Sequence, residues 1–107
     1  MNIKQTGELN VLYDQSFTEK ELVINPNDGF DLGLMMTKAT VELEFNFGSI
    51  KDKSPETLIA QINQKNECKV GTVELGSKSM NKLDGNTKVR LTLEDHDGKS
   101  TLIIGAV

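Results

Sequence analysis

Two side chains in this sequence have the chemistry of a nucleophile or base near neutral pH, Cys68 and His96, and each type occurs once. A nucleophilic relay needs an imidazole held in place by a third group. His96 stands in Asp95-His96-Asp97-Gly98, which reads as a hairpin tip, a poor platform for a pre-organised base. Cys68 is expected to pack as a small apolar residue at the start of a strand. A transition-metal site needs several such ligands, so no metal is expected. Glu42 and Glu44 lie two residues apart on the polar face of one predicted strand, and Glu94 on that of another. Glycoside chemistry needs such carboxylates in a cleft. With no Trp and one Tyr, the usual sugar-stacking platform is missing.

Asp, Asn and Gly clusters invite a calcium-loop reading, but the oxygen-ligand spacing fails. Aligning Gly98 with the invariant glycine puts Leu93 and Ile104 at ligand places. Aligning Gly29 puts Ile24 and Pro26 there, and aligning Gly85 puts Met80 and Lys82 there. The spans Gly29–Gly33 and Gly71–Gly76 lack the spacing and the following helix of a phosphate cradle. No cofactor is expected.

Two groups of residues remain as binding candidates. Lys88 and Arg90 share one face of a predicted strand and are candidate anion contacts. No aromatic residue follows position 47, so base stacking, which single-strand nucleic-acid binding uses, is absent. The run Phe30-Asp31-Leu32-Gly33-Leu34-Met35-Met36 is the stronger candidate. It reads either as a core strand or as an interface built on Phe30, Leu34, Met35 and Met36. Methionine adapts to irregular surfaces and is enriched in interface cores. Ile104, in an apolar C-terminal strand, is a further candidate contact.

The elements that must position these groups follow from apolar periodicity. Residues 40–47 alternate Val41, Leu43, Phe45 and Phe47 with polar neighbours, and 87–94 alternates Val89, Leu91 and Leu93. Half-buried strands of this kind imply an antiparallel sheet. Residues 100–107 are apolar on both faces and predict a central or covered strand. A turn at Asp97-Gly98 makes 87–107 a hairpin, read as a type I turn with a bulge. Weaker strands are predicted at 8–13, 22–24 and 68–75, the last interrupted at Gly71. Asn25-Pro26-Asn27-Asp28-Gly29 predicts a turn. Phe30, Leu32, Leu34 and Met36 have the opposite parity to the strand that follows, so a turn or bulge is required within 36–40. Ser54 as N-cap, Pro55 at the first helical position and Glu56 in the first turn predict a helix over about 55–65, with Leu58, Ile59 and Ile62 as its apolar stripe. The loop 76–86 is expected to be mobile.

These elements make one β-rich domain over 1–107: an antiparallel sandwich or open barrel of six to seven strands with one short inserted helix. A single twisted sheet with the helix on one face is the second choice. The apolar share is 36%, so the core is small, and burial in an oligomer would add to it.

The net charge is −4 and unevenly spread. Residues 1–50 hold three Lys against eight acids, and residues 51–107 hold nine Lys or Arg against eight. Nucleic-acid binding needs a basic stripe, so no nucleic-acid partner is expected. No stretch approaches the apolar length of a membrane span, and no membrane association is expected. The N-terminal residues lack an apolar signal core, and Asn2 and the terminal Gly-Ala-Val offer no lipidation motif. One cysteine permits no intrachain disulfide, which fits a reducing cytoplasm or a particle assembled from it.

The expected function is a non-catalytic binding or assembly module, homo-oligomeric and acting on protein partners, as a particle component or as a small inhibitor or accessory protein. The rival is a protein that sequesters an anionic small molecule or nucleotide at subunit interfaces. An enzyme using carboxylates in a cleft is a third reading. Catalysis is not expected.

Overall fold

The computed structural model describes residues 2–18, 20–47, 58–83 and 85–107. Eight strands run through them: β1 (Asn2–Gln5), β2 (Leu9–Asp14), β3 (Glu21–Ile24), β4 (Lys38–Asn46), β5 (Leu58–Gln64), β6 (Thr72–Gly76), β7 (Lys88–His96) and β8 (Lys99–Ala106). Seven of them close a ring in the order β7-β2-β6-β3-β5-β4-β8, and the β8–β7 pairing shuts it. The fold is mainly β, and the barrel is closed where an open barrel or a sandwich was expected. Strand β1 is the extra strand and pairs antiparallel with β7.

Antiparallel pairs alternate with parallel ones except at β7, which is antiparallel to both of its ring neighbours. β2–β6, β3–β5 and β4–β8 run parallel, while the other barrel pairs run antiparallel. Each parallel pair joins strands far apart in sequence, which alternation within a strand cannot reveal.

The interior follows from the two-residue period. Leu43 on β4 stands opposite Leu102 on β8, and Leu102 opposite Leu93 on β7. Leu22 on β3 stands opposite Leu75 on β6 and Ile62 on β5. All six are at most 4% exposed, so the barrel is packed with side chains. As expected, β8 is central, with β7 on one side and β4 on the other.

The register of β1 and β2 on β7 differs by one residue. Gln5 pairs with Thr92 but Leu9 pairs with Val89, so the segment from Thr6 to Glu8 holds one extra residue, a bulge. Within it, Thr6 donates its N–H to the Leu91 carbonyl, and its hydroxyl accepts the Leu91 N–H at 3.2 Å. The bulge reverses parity, so Lys4, opposite Leu93, stands on the same side of the sheet as Leu9, but it is exposed, with its ammonium beside Gly33.

Helix α1 (Pro26–Asp31) and the buried Leu32 after it follow β3 at one end of the barrel. The expected turn is therefore a short helix. Asn25 caps it by accepting the Asn27 N–H, Pro26 opens it, and Asp28 lies in its first turn. These residues favour helix starts as much as turns, and six residues are too few to show a helical period. At the other end, the 3-10 turn Ser77–Lys82 follows β6 and leads to the fully buried Leu83. The segment expected as a mobile loop thus carries a core residue.

The helix expected over 55–65 is not formed in its described part, since residues 58–64 are strand β5. Its cap and first turn, Ser54 to Glu56, lie outside the described residues. The reason is period: Leu58 and Ile62, two of the three stripe residues, also share a strand face with the buried Ala60, while Ile59 and Gln61 point outward. A strand here joins β3 to β4 and completes the ring. The hairpin over β7 and β8 is formed, but its loop is Asp97-Gly98 with φ of 52° and 80°. Two left-handed residues make the two-residue primed turn, not the expected type I turn with a bulge.

Candidate functional site

The run Phe30–Met36 is not a core strand. It is the last turn of α1 and the loop leading to β4. Met35 is 97% exposed, Phe30 81% and Met36 73%. Scattered exposed apolar residues are ordinary, but these three are large and fall within seven consecutive positions of the chain. Gly33, with φ of 72°, turns the chain so that the Gly33 and Leu34 N–H groups donate to the Phe30 and Gly29 carbonyls at 2.9 and 3.0 Å. Half-buried Leu34 packs against the core. The Met36 carbonyl accepts the Gln64 carboxamide at 2.6 Å. The loop therefore presents its methionines from a hydrogen-bonded frame.

Two further bonds fix α1 to the turn before β6. The Asn25 carboxamide donates to the Cys68 carbonyl at 2.7 Å, and the buried Asp28 carboxylate accepts the Gly71 N–H at 3.0 Å. That turn also carries Val70, 53% exposed. Asp31 and Lys38, both exposed, flank Met35 and Met36 in sequence with opposite charges.

The other sequence candidates lie elsewhere. Ile104 is fully buried in the barrel opposite Leu91 and Phe45, so it presents no surface to a partner. Lys88 is held by Glu8 at 3.2 Å. Arg90, half-buried, lies on the outer face of β7 opposite Gly105. Neither lines the groove described next. Glu42 and Glu94 flank Thr101 from the two neighbouring strands. Two strand spacings put their backbones about 10 Å apart, on the convex outside of the barrel. His96 is exposed at the hairpin tip, 3.2 Å from the equally exposed Asp97.

A groove on the outer wall was not foreseen. Its volume is about 640 Å³, and it is lined by Asp14, Phe17, Val23, Glu74 and the segment Gln64–Cys68. Val23 stands opposite Glu74 on the outer face of β3 and β6. Phe17 comes from the β2–β3 loop and Cys68 from the β5–β6 turn. The signal was the uninterrupted run Leu22-Val23-Ile24, since a strand apolar on both faces needs a cover outside. Val23 is 3% exposed and Cys68 1%.

Burial, with Glu74 beside it, pushes the Cys68 thiol up to about 12. Near neutral pH it is a protonated packing group, not a nucleophile. Asp14 is held below the usual carboxylate range by the hydroxyl and N–H of Ser16. Among the described residues, no group of three or more His, Cys, Asp or Glu could hold a metal ion. No described helix is long and apolar enough to cross a membrane.

No protein-family model, curated protein or solved structure matches the chain. The functional reading therefore rests on this geometry alone.

Proposed function

We propose that the chain is a non-catalytic binding or assembly module, working through protein–protein contacts at the Phe30, Met35 and Met36 surface and associating with further copies of itself. The observation that carries this reading is the exposure of those three side chains on a hydrogen-bonded frame. Their combined exposed area is on the order of several hundred Å², comparable to the largest apolar patch of a typical monomer, which is often functional. Leu34 is the anchor behind it. Asp31 and Lys38 give the surface both signs of charge, which an isologous contact needs if each copy is to complement the other. A structural particle component or a small accessory protein would use such a face in the same way, and a reducing cytoplasm suits the single thiol.

Light scattering coupled to size-exclusion chromatography tests this. The expected result is a mass above the 11.8 kDa of one chain, falling to one chain in Met35→Asp with an unchanged melting temperature. A wild-type monomer at every concentration examined overturns self-association.

A further inference from the structure

Sulfur divides between two environments in this chain. Methionine commonly fills irregular gaps in a core. Among the described residues the core holds Leu, Ile, Val, Phe, Ala and Cys68 but no methionine. Met35 is 97% exposed, Met36 73% and Met80 50%, whereas Cys68 is 1% exposed. A dissolved oxidant ordinarily attacks an accessible thiolate. Here the thiol is covered, its Sγ 3.8 Å from the Val23 carbonyl and 3.4 Å from that of Thr72, and it stays protonated near neutral pH. The accessible sulfurs are instead those of Met35 and Met36, neighbours in the surface at the end of α1. Their thioethers take no part in the bonds that hold the loop. Those bonds run from the Gly33 and Leu34 N–H groups and the Gln64 carboxamide to backbone carbonyls.

We propose that Met35 and Met36 form a reversible oxidation site, at which peroxide releases one copy of the chain from another. The release rests on the self-association reading above, and the site itself does not. Each thioether sulfur attacks one oxygen of hydrogen peroxide. The O–O bond breaks, an S–O bond forms, and the second oxygen leaves as water. Sulfur loses two electrons and the peroxide gains them. The sulfoxide is polar, so a surface that could be buried at no cost becomes one whose burial needs a hydrogen-bond partner. The core keeps its packing, because neither thioether belongs to it. A thiol-dependent reductase reverses the step, returning each sulfoxide to the thioether and releasing the oxygen as water.

The test treats the full chain with hydrogen peroxide at neutral pH and assigns each added oxygen by peptide fragmentation in a mass spectrometer. One oxygen on each of Met35 and Met36 is expected before any on Met80, with none on Cys68 and an unchanged melting temperature. The mass from light scattering should fall to the 11.8 kDa of one chain. The two methionine sulfoxide reductases, one for each sulfur epimer, should restore the starting mass in the presence of dithiothreitol. Met80→Leu should lose and regain mass in the same way. Oxidation of Cys68 or Met80 ahead of Met35 and Met36 overturns the site. Oxidised protein that keeps its untreated mass overturns the release and leaves self-association standing. An untreated chain that is already a monomer overturns self-association and the release together, and the peptide fragments still decide the site.

Discussion

Gln64 and Gly29 occupy one another's space: the Gln64 carboxamide lies where a Cβ on residue 29 would stand. Gln64 comes from the end of β5 and Gly29 from the middle of α1. The same carboxamide donates to the Met36 carbonyl, so one side chain sets both the seating of the helix and the course of the exposed loop.

Replacing Gly29 by Ala forces that carboxamide aside and breaks its bond to Met36. The loss is about 1 kcal/mol, partly offset by the better helix propensity of alanine. Placed on Gln64→Ala, the same substitution becomes stabilising, because the obstruction is gone. Urea unfolding of the two single variants and the double variant reads the difference. Additive effects within about 0.3 kcal/mol would show that the two residues do not interact.

The α1 region separates a packing residue from display residues. Leu32, 1% exposed, is expected to cost about 2–5 kcal/mol when cut to Ala. Phe30→Ser and Met35→Asp should change stability by no more than about 0.5 kcal/mol while abolishing self-association. Melting temperature and molar mass, measured on the same samples, check both halves.

Burial of Cys68 links stability to alkaline pH. The folded thiol titrates near 12 against 9.0 for an unhindered one. Between these values the unfolded chain releases a proton that the folded chain retains. The contribution is therefore whole below pH 9 and is lost as pH rises through that window. Cys68→Ala removes this part of the slope. Unfolding free energies of the two proteins at several pH values give the difference, and the tyrosine and lysines common to both cancel. Thiol alkylation of the native protein at pH 8 should be much slower than in urea.

The β7–β8 turn requires left-handed backbone at Asp97 and Gly98. Gly98→Ala should destabilise by about 1 kcal/mol. Asp97→Asn should be neutral or slightly stabilising, because asparagine suits the first place of this turn. Thermal melts distinguish the two.

What could be read from the sequence divides along physical lines. Val41, Leu43 and Phe45, and likewise Val89, Leu91 and Leu93, announced their strands because each strand has one wet and one dry face. Residues 102–104 announced a central strand: Leu102 and Ile104 fill the interior, and Ile103 is half-buried on the outer face. Leu58 and Ile62 misled because a spacing of four fits both periods, and Ile59, which seemed to complete a helical stripe, is exposed on the outer face of β5. Pro26 and Asp28 misled because helix starts and turns favour the same residues. Phe30, Met35 and Met36 were identifiable as a candidate surface, although as a strand instead of a helix end and loop. The groove was hidden, since it forms where the loop of Phe17 and the turn of Cys68 meet over Val23, and sequence spacing does not measure that approach.

The closed ring also constrains the order in which this protein can be made. Strands β1 and β2 leave the ribosome first, yet their neighbours are β6 and β7, and β4 waits for β8. Pairing with residues so distant is slow, and until β7 and β8 emerge the early strands offer bare hydrogen-bonding edges. A chain stalled before β7 would hold apolar strands whose partners have not yet been made, the kind of intermediate that exposes unpaired edges to aggregation.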